Sequence, residues 1–117
     1  MRINTYTIPS PMDERGRYVW EPPAVLARNG LGAAITGPYA SLTWTWNYLT
    51  RAEYLFWRKT VLKGEASATF TQHTRLYDDT QTLVEITSCT VLRPTYESIE
   101  GGLYKNVTLQ IDQIKTA

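Results

Sequence analysis

The chain has one cysteine, Cys89, and one histidine, His73. A lone cysteine excludes an intrachain disulfide, so folding makes no demand for an oxidising compartment. One histidine and one cysteine cannot supply the three or four ligands that a zinc or iron site uses. No metal and no other cofactor is therefore expected. Charge of one sign is also lacking: 12 basic residues against 11 acidic ones leave a formal charge of +1. That balance removes the electrostatic case for specific nucleic-acid binding or for an anionic membrane as main partner. No apolar run approaches the roughly 18 residues of a membrane span. The first residues, Met1 to Tyr6, have no apolar core of the kind a signal peptide carries. Asn106-Val107-Thr108 spells a glycosylation sequon, but without a secretion signal it reads as strand. Assembly in a reducing cytoplasm is the expectation.

The chain is rich in groups that fill a core. Of 117 residues, 43% are apolar, and 4 tryptophans and 8 tyrosines are among them. A chain of this length buries roughly two-thirds of its unfolded surface, enough for one domain spanning residues 1–117. Leu42, Trp44, Trp46 and Tyr48 alternate with Thr43, Thr45 and Asn47. Period-two alternation predicts a strand with its large groups on one face. Thr50 and Glu53 follow with capping-box spacing, and Leu49 and Tyr54 stand where a hydrophobic staple places them. A helix over 51–63 is predicted, with Lys63 at its negative end and Gly64 at its stop. Its apolar residues exceed one narrow stripe, so a second packed surface is expected.

Around that unit, turn signals divide short strands. Arg2 to Ile8 predicts a first strand, ended at Pro9. Met12 to Arg17 reads as an exposed loop, Tyr18 to Trp20 as a short apolar piece. Asn29-Gly30 predicts a hairpin between Ala24–Ala27 and Ala33–Thr36. Ala66, Ala68 and Phe70 share one parity of another strand, and Asp78-Asp79-Thr80 is a turn. In Leu83 to Leu92 the parity slips between Ile86 and Cys89, which predicts a bulge near Ser88. Gly101-Gly102 reads as a hairpin tip. Val107, Leu109 and Ile111 alternate in a last strand from which Ile114 departs. The fold class is α+β, mostly β: an antiparallel β-sandwich or barrel with one flanking helix.

Candidate chemistry is sparse, and no enzyme activity is expected. A Cys89–His73 nucleophile pair would need both groups on one face, but the parities put His73 outward and Cys89 in an apolar stretch. Asp78 with Asp79 read as solvated turn carboxylates, and Glu97 and Glu100 flank a hairpin at a spacing that says only that they stand near each other. Gly30-Leu31-Gly32 lacks the third glycine and the frame of a nucleotide loop. Arg51, Arg58, Lys59 and Lys63 make a basic face on the helix, which reads as solvated. The tryptophans could form a sugar-stacking platform, but Trp44 and Trp46 share the face of Leu42, which favours a core. Aromatic residues and arginine are enriched in interface cores. The candidates for subunit contact are Trp57, foremost, with Tyr54, Arg58, Trp20 and Tyr77.

The segment Ser41 to Glu53, the helix ending in Lys63-Gly64-Glu65-Ala66, the strand through Phe70 and the closing Tyr104 to Ile111 together resemble the structural proteins of phage tails. These include minor tail proteins and the tube-like domains of distal tail proteins. The aromatic-Pro-Pro segment usual after the helix is replaced here by Thr71 to Asp79. The resemblance implies a virion protein that forms a homo-oligomeric ring, often hexameric, at the tail tip or in the tube. It also implies contacts with other tail proteins, no enzyme activity, and loops such as Met12–Arg17 and Leu76–Thr80 that reach neighbours. A capsid decoration or neck protein is the near alternative, and a carbohydrate-binding β-module the alternative of another class.

Overall fold

The computed structural model describes residues 1–22, 25–28, 34–36 and 39–116. Its frame is an antiparallel sheet of nine strands. The centre of the sheet is the tryptophan strand β6 (Ala40–Thr50) laid against the last strand, β11 (Leu103–Thr116). Trp46 faces Val107, Trp44 faces Leu109 and Leu42 faces Ile111, so one continuous apolar face spans both strands. β3 (Arg17–Glu21) flanks β6 on the outer side, and β9 (Leu83–Leu92) flanks β11 on the other. β7 (Ser67–Phe70) and β8 (Thr74–Tyr77) pair with successive halves of β9. Beyond β8 lie β1 (Arg2–Ile3) and β2 (Tyr6–Thr7). β10 (Ser98–Glu100) pairs with the start of β11. The class is the expected one, mostly antiparallel β with a short helix against the sheet.

β4 (Val25–Arg28) and β5 (Ala34–Thr36) form a separate antiparallel pair. The Asn29-Gly30 turn predicted between them lies outside the described residues.

The helix signal is met in its chemistry. The Glu53 N–H donates to the Thr50 hydroxyl at 3.3 Å, and the Thr50 N–H donates to the Glu53 carboxylate at 3.0 Å. The helix α2 (Arg51–Leu55) then widens into a π-helix over Phe56–Val61. The Leu62 N–H donates to the Trp57 carbonyl at 3.0 Å. This wider winding brings both Val61 and Leu62 onto the side of Trp57, and all three are buried. An α-helix would have turned Leu62 away, which accounts for the excess of apolar residues over one stripe. Lys63 and Gly64 both take positive φ, 52° and 82°, and end the helix.

The structure corrects four expectations. Met12 to Arg17 is not a loop throughout: a six-residue helix, α1 (Ser10–Arg15), begins after Pro9, and Met12 is fully buried. Leu76 to Thr80 is not all loop either, because β8 pairs on both its edges and buries Leu76. Arg2 to Ile8 folds back on itself at Asn4, where φ is 55°, so Ile3 and Ile8 both point inward. Tyr48 leaves the face of Trp44 and Trp46 and is exposed, while Leu49 takes the inward place.

The parity slips resolve into bulges. Register shifts at Ser88 along β9, and again between Ile111 and Ile114 along β11. Gln113, at φ 52°, is the extra residue that returns Ile114 to the core. Gly101 and Gly102 have φ of 58° and 76°, the pair of positive values that a two-residue hairpin turn of type I′ requires. The buried side chains of the sheet join those of α1 and the π-helix in one cluster.

Candidate functional site

The sheet curls until β3 meets the end of β8. There the Tyr18 ring stacks on Trp44 at 5.0 Å and on Tyr77 at 5.9 Å. The Tyr18 hydroxyl donates to the Asp78 carbonyl at 3.2 Å. Burial, with Asp78 nearby, pushes the Tyr18 phenol above its usual pKa, so it stays protonated and donating. The contact closes the sheet through side chains, with no ladder between β3 and β8.

Two clefts open at this seam. One, of about 270 Å³, lies between Glu14, Gly16, Tyr18, Trp44, Tyr77 and Gln81. The other, of about 530 Å³, runs along β3 past Gly16 to Trp20, with Asp79 and Gln81 opposite. Trp44 contributes a wall but exposes no donor to it. Its indole nitrogen is buried without a hydrogen-bond partner and lies against Gly16, where a Cβ would stand 1.5 Å from it. The neighbouring indoles are satisfied by one residue. Trp46 donates to the Met12 carbonyl at 2.8 Å, and Trp57 donates to the Met12 sulfur at 3.1 Å.

The residues singled out for subunit contact separate into two groups. Trp57 is 0% exposed and Tyr54 is buried, so neither ring reaches the surface of the chain. Trp57 lies three residues after buried Tyr54, on the core side of the helix, and the π-winding adds Val61 and Leu62 to that side. Tyr54 instead stacks on Tyr104 at 4.0 Å, with Tyr96 edge-on to both. Arg58 is exposed on the helix beside Lys59. Trp20 and Tyr77 are half-buried and stand at the seam, on β3 and β8. The surface residues that sequence reading passed over are Val19, Tyr39, Tyr96 and Ile99. For Val19 a signal existed: it sits between Arg17 and Glu21 in strict alternation with Tyr18 and Trp20.

The reactive side chains do not converge. Cys89 is buried in β9, and burial pushes its thiol up to about 12, so the thiolate is withheld at neutral pH. His73 is exposed ahead of β8, at φ 54°. The Thr80 hydroxyl and the Thr80 and Thr82 amides hold the Asp78 carboxyl below its ordinary value, so Asp78 closes its own turn. Glu97 accepts from the Asn106 amide. Among the described residues, no cluster of three or more His, Cys, Asp or Glu side chains could hold a metal ion. Among them, too, no helix is long and apolar enough to cross a membrane.

No family profile, curated protein or solved structure matches the chain.

Proposed function

We propose that this chain is a structural subunit of a tailed-phage virion, built into a homo-oligomeric ring at the tail tip or in the tail tube. The likeness of Ser41 to Glu53, of the helix end and of the closing strand to tail proteins supplies the identity. The observation that carries the reading is where the apolar groups lie. The largest of them fill the interior of one protomer: Trp44, Trp46 and Trp57 are each at most 1% exposed. The exposed ones stand on separate elements, with Ile99 on β10 at 53%, Leu83 at the start of β9, and Tyr39 just before β6. A ring needs two different contact patches on each subunit, and scattered apolar groups on several sides fit that need. Other tail proteins would dock on the faces the ring leaves free. A carbohydrate-binding module is disfavoured, because its stacking platform would need the indoles of Trp44 and Trp46 at the surface.

Light scattering after gel filtration, paired with negative-stain microscopy, tests the proposal. Closed rings of one mass are expected at micromolar concentration, and Ile99→Asp should shift them to smaller species without loss of folded signal. A protein that stays monomeric at all concentrations, and that selectively retains one class of glycan on an array, would overturn the virion reading.

A further inference from the structure

β3 ends the sheet. Among the described residues it pairs with β6 alone, and its register with β6 is unbroken. Every second residue of such a strand aims its N–H and C=O away from the sheet, an edge that another strand can join. Edges of this kind are ordinarily blunted by proline, a bulge, short length or charged side chains. Arg17–Glu21 is short but has no proline or bulge, and its two charges are of opposite sign, so a second copy can answer them. A cleft of about 530 Å³ opens beside it, with Asp79 and Gln81 on its far wall.

The strand is chemically symmetric about its middle. Arg17, Val19 and Glu21 are exposed on one face, and Val19, at 61%, is the most exposed large apolar group described. Tyr18 and Trp20 are half-buried on the other face. Lay a second β3 antiparallel beside the first with Val19 opposite Val19. Arg17 then faces Glu21 at both ends, and Tyr18 faces Trp20 twice. Opposite charges and aromatic pairs directly across strands are the favourable cross-strand combinations. Shifting one strand by two residues would set Arg17 against Val19 and leave Glu21 past the end of the partner strand. Neither charge is engaged in an ion pair among the described residues. Arg17 donates to the Asn47 side chain at 3.2 Å, and Glu21 accepts from the Ser41 hydroxyl at 3.2 Å, both neutral groups of β6.

We propose that β3 is a self-pairing edge: a second copy of this chain docks antiparallel on Arg17–Glu21, with the two-fold axis at Val19, and continues the sheet across the contact. The contact is isologous and closes at two subunits. It is independent of the ring reading. If rings also form, the same contact joins two of them face to face.

Charge exchange tests the pairing. Arg17→Glu alone, or Glu21→Arg alone, sets two like-charge pairs across the axis and is expected to raise the dimer dissociation constant by roughly tenfold. The double exchange restores the pairs, and so does mixing the two single variants, which form a heterodimer. Circular dichroism of each variant separates loss of pairing from loss of fold. Val19→Cys places two thiols on the axis, where opposed Cα atoms lie within disulfide reach. A disulfide-linked dimer is expected under mild oxidation, with Cys89 left unreacted inside β9. Sedimentation unchanged by both single exchanges, or Val19→Cys that stays uncrosslinked, overturns the pairing. Rings that keep their mass through the exchanges overturn it and leave the ring reading standing. Dimers that respond to the exchanges, without any ring, support it and remove the ring reading.

Discussion

Gly16 is a glycine because Trp44 occupies the space a side chain would take. Its backbone is ordinary, at φ −73° and ψ 155°, so conformational freedom is not the reason. A Cβ there would fall 1.5 Å from the Trp44 indole nitrogen. Gly16→Ala must displace the indole or the strand, and a loss of about 2–3 kcal/mol is expected, as for other overpacked cores. Urea unfolding measures it as a lower midpoint at constant slope. Cys89 yields a prediction of sign. The ordinary thiol value is 9.0, and the folded one is about 12. Between those values the unfolded chain has shed a proton that the folded chain keeps. Stability therefore falls as pH rises from about 9 to about 12, and below that window this thiol contributes no pH dependence. Cys89→Ala should flatten that alkaline decline relative to the parent when unfolding free energy is followed against pH.

Within elements, a few side chains set where a helix begins or a strand turns over. Thr50→Ala removes one half of the capping box and is expected to cost about 1 kcal/mol of stability. Glu53 has a second partner in Arg15, so the same carboxylate ties α1 to α2. Burial raises its pKa, but the Thr50 amide and the Arg15 guanidinium outweigh that and hold it below 4.5. A lowered carboxylate stabilises the fold above its unfolded value, and the gain is lost as pH falls through the folded one. Glu53→Gln should therefore lose stability at neutral pH and lose little more on acidification, which thermal melts from pH 7 down to 3 would record. The bulge on β11 rests on Gln113 at φ 52°. Non-glycine residues take that conformation at a cost of roughly 1 kcal/mol, so Gln113→Gly is expected to be neutral or mildly stabilising in the same melts, whereas Gln113→Val should destabilise.

At the scale of the molecule, closure depends on the seam. β3 and β8 share no ladder, so the curl is held where Tyr18 meets Trp44, Tyr77 and the Asp78 carbonyl. Tyr18→Phe deletes only the hydroxyl bond and should cost about 1 kcal/mol. Tyr18→Ala removes the stacking too. Faster amide exchange is expected in 77–83 and along β3, with β11 still protected, because local opening precedes global unfolding where few contacts cross. Uniform loss of protection across the sheet would show instead that the seam and the core open together.

Much of this fold was legible in the order of residues. Alternation from Leu42 to Trp46, though not on to Tyr48, and from Val107 to Ile111 encodes a buried face, since side chains on a strand can only alternate. The capping box, the glycine pair at the hairpin tip and the slip near Ser88 are local geometry, and neighbours in sequence suffice to write it. Decisions that depended on distant neighbours were not legible. Met12 reads as the start of an exposed polar loop until Trp46 and Trp57, 34 and 45 residues away, take its carbonyl and sulfur. Trp57 reads as an outward aromatic until the core closes over it and Met12 takes its indole N–H. The candidate contact residues divided for the same reason. Their chemistry was plain from the sequence, but whether a ring faces water or core is settled by packing against strands far along the chain, and periodicity carries no record of that.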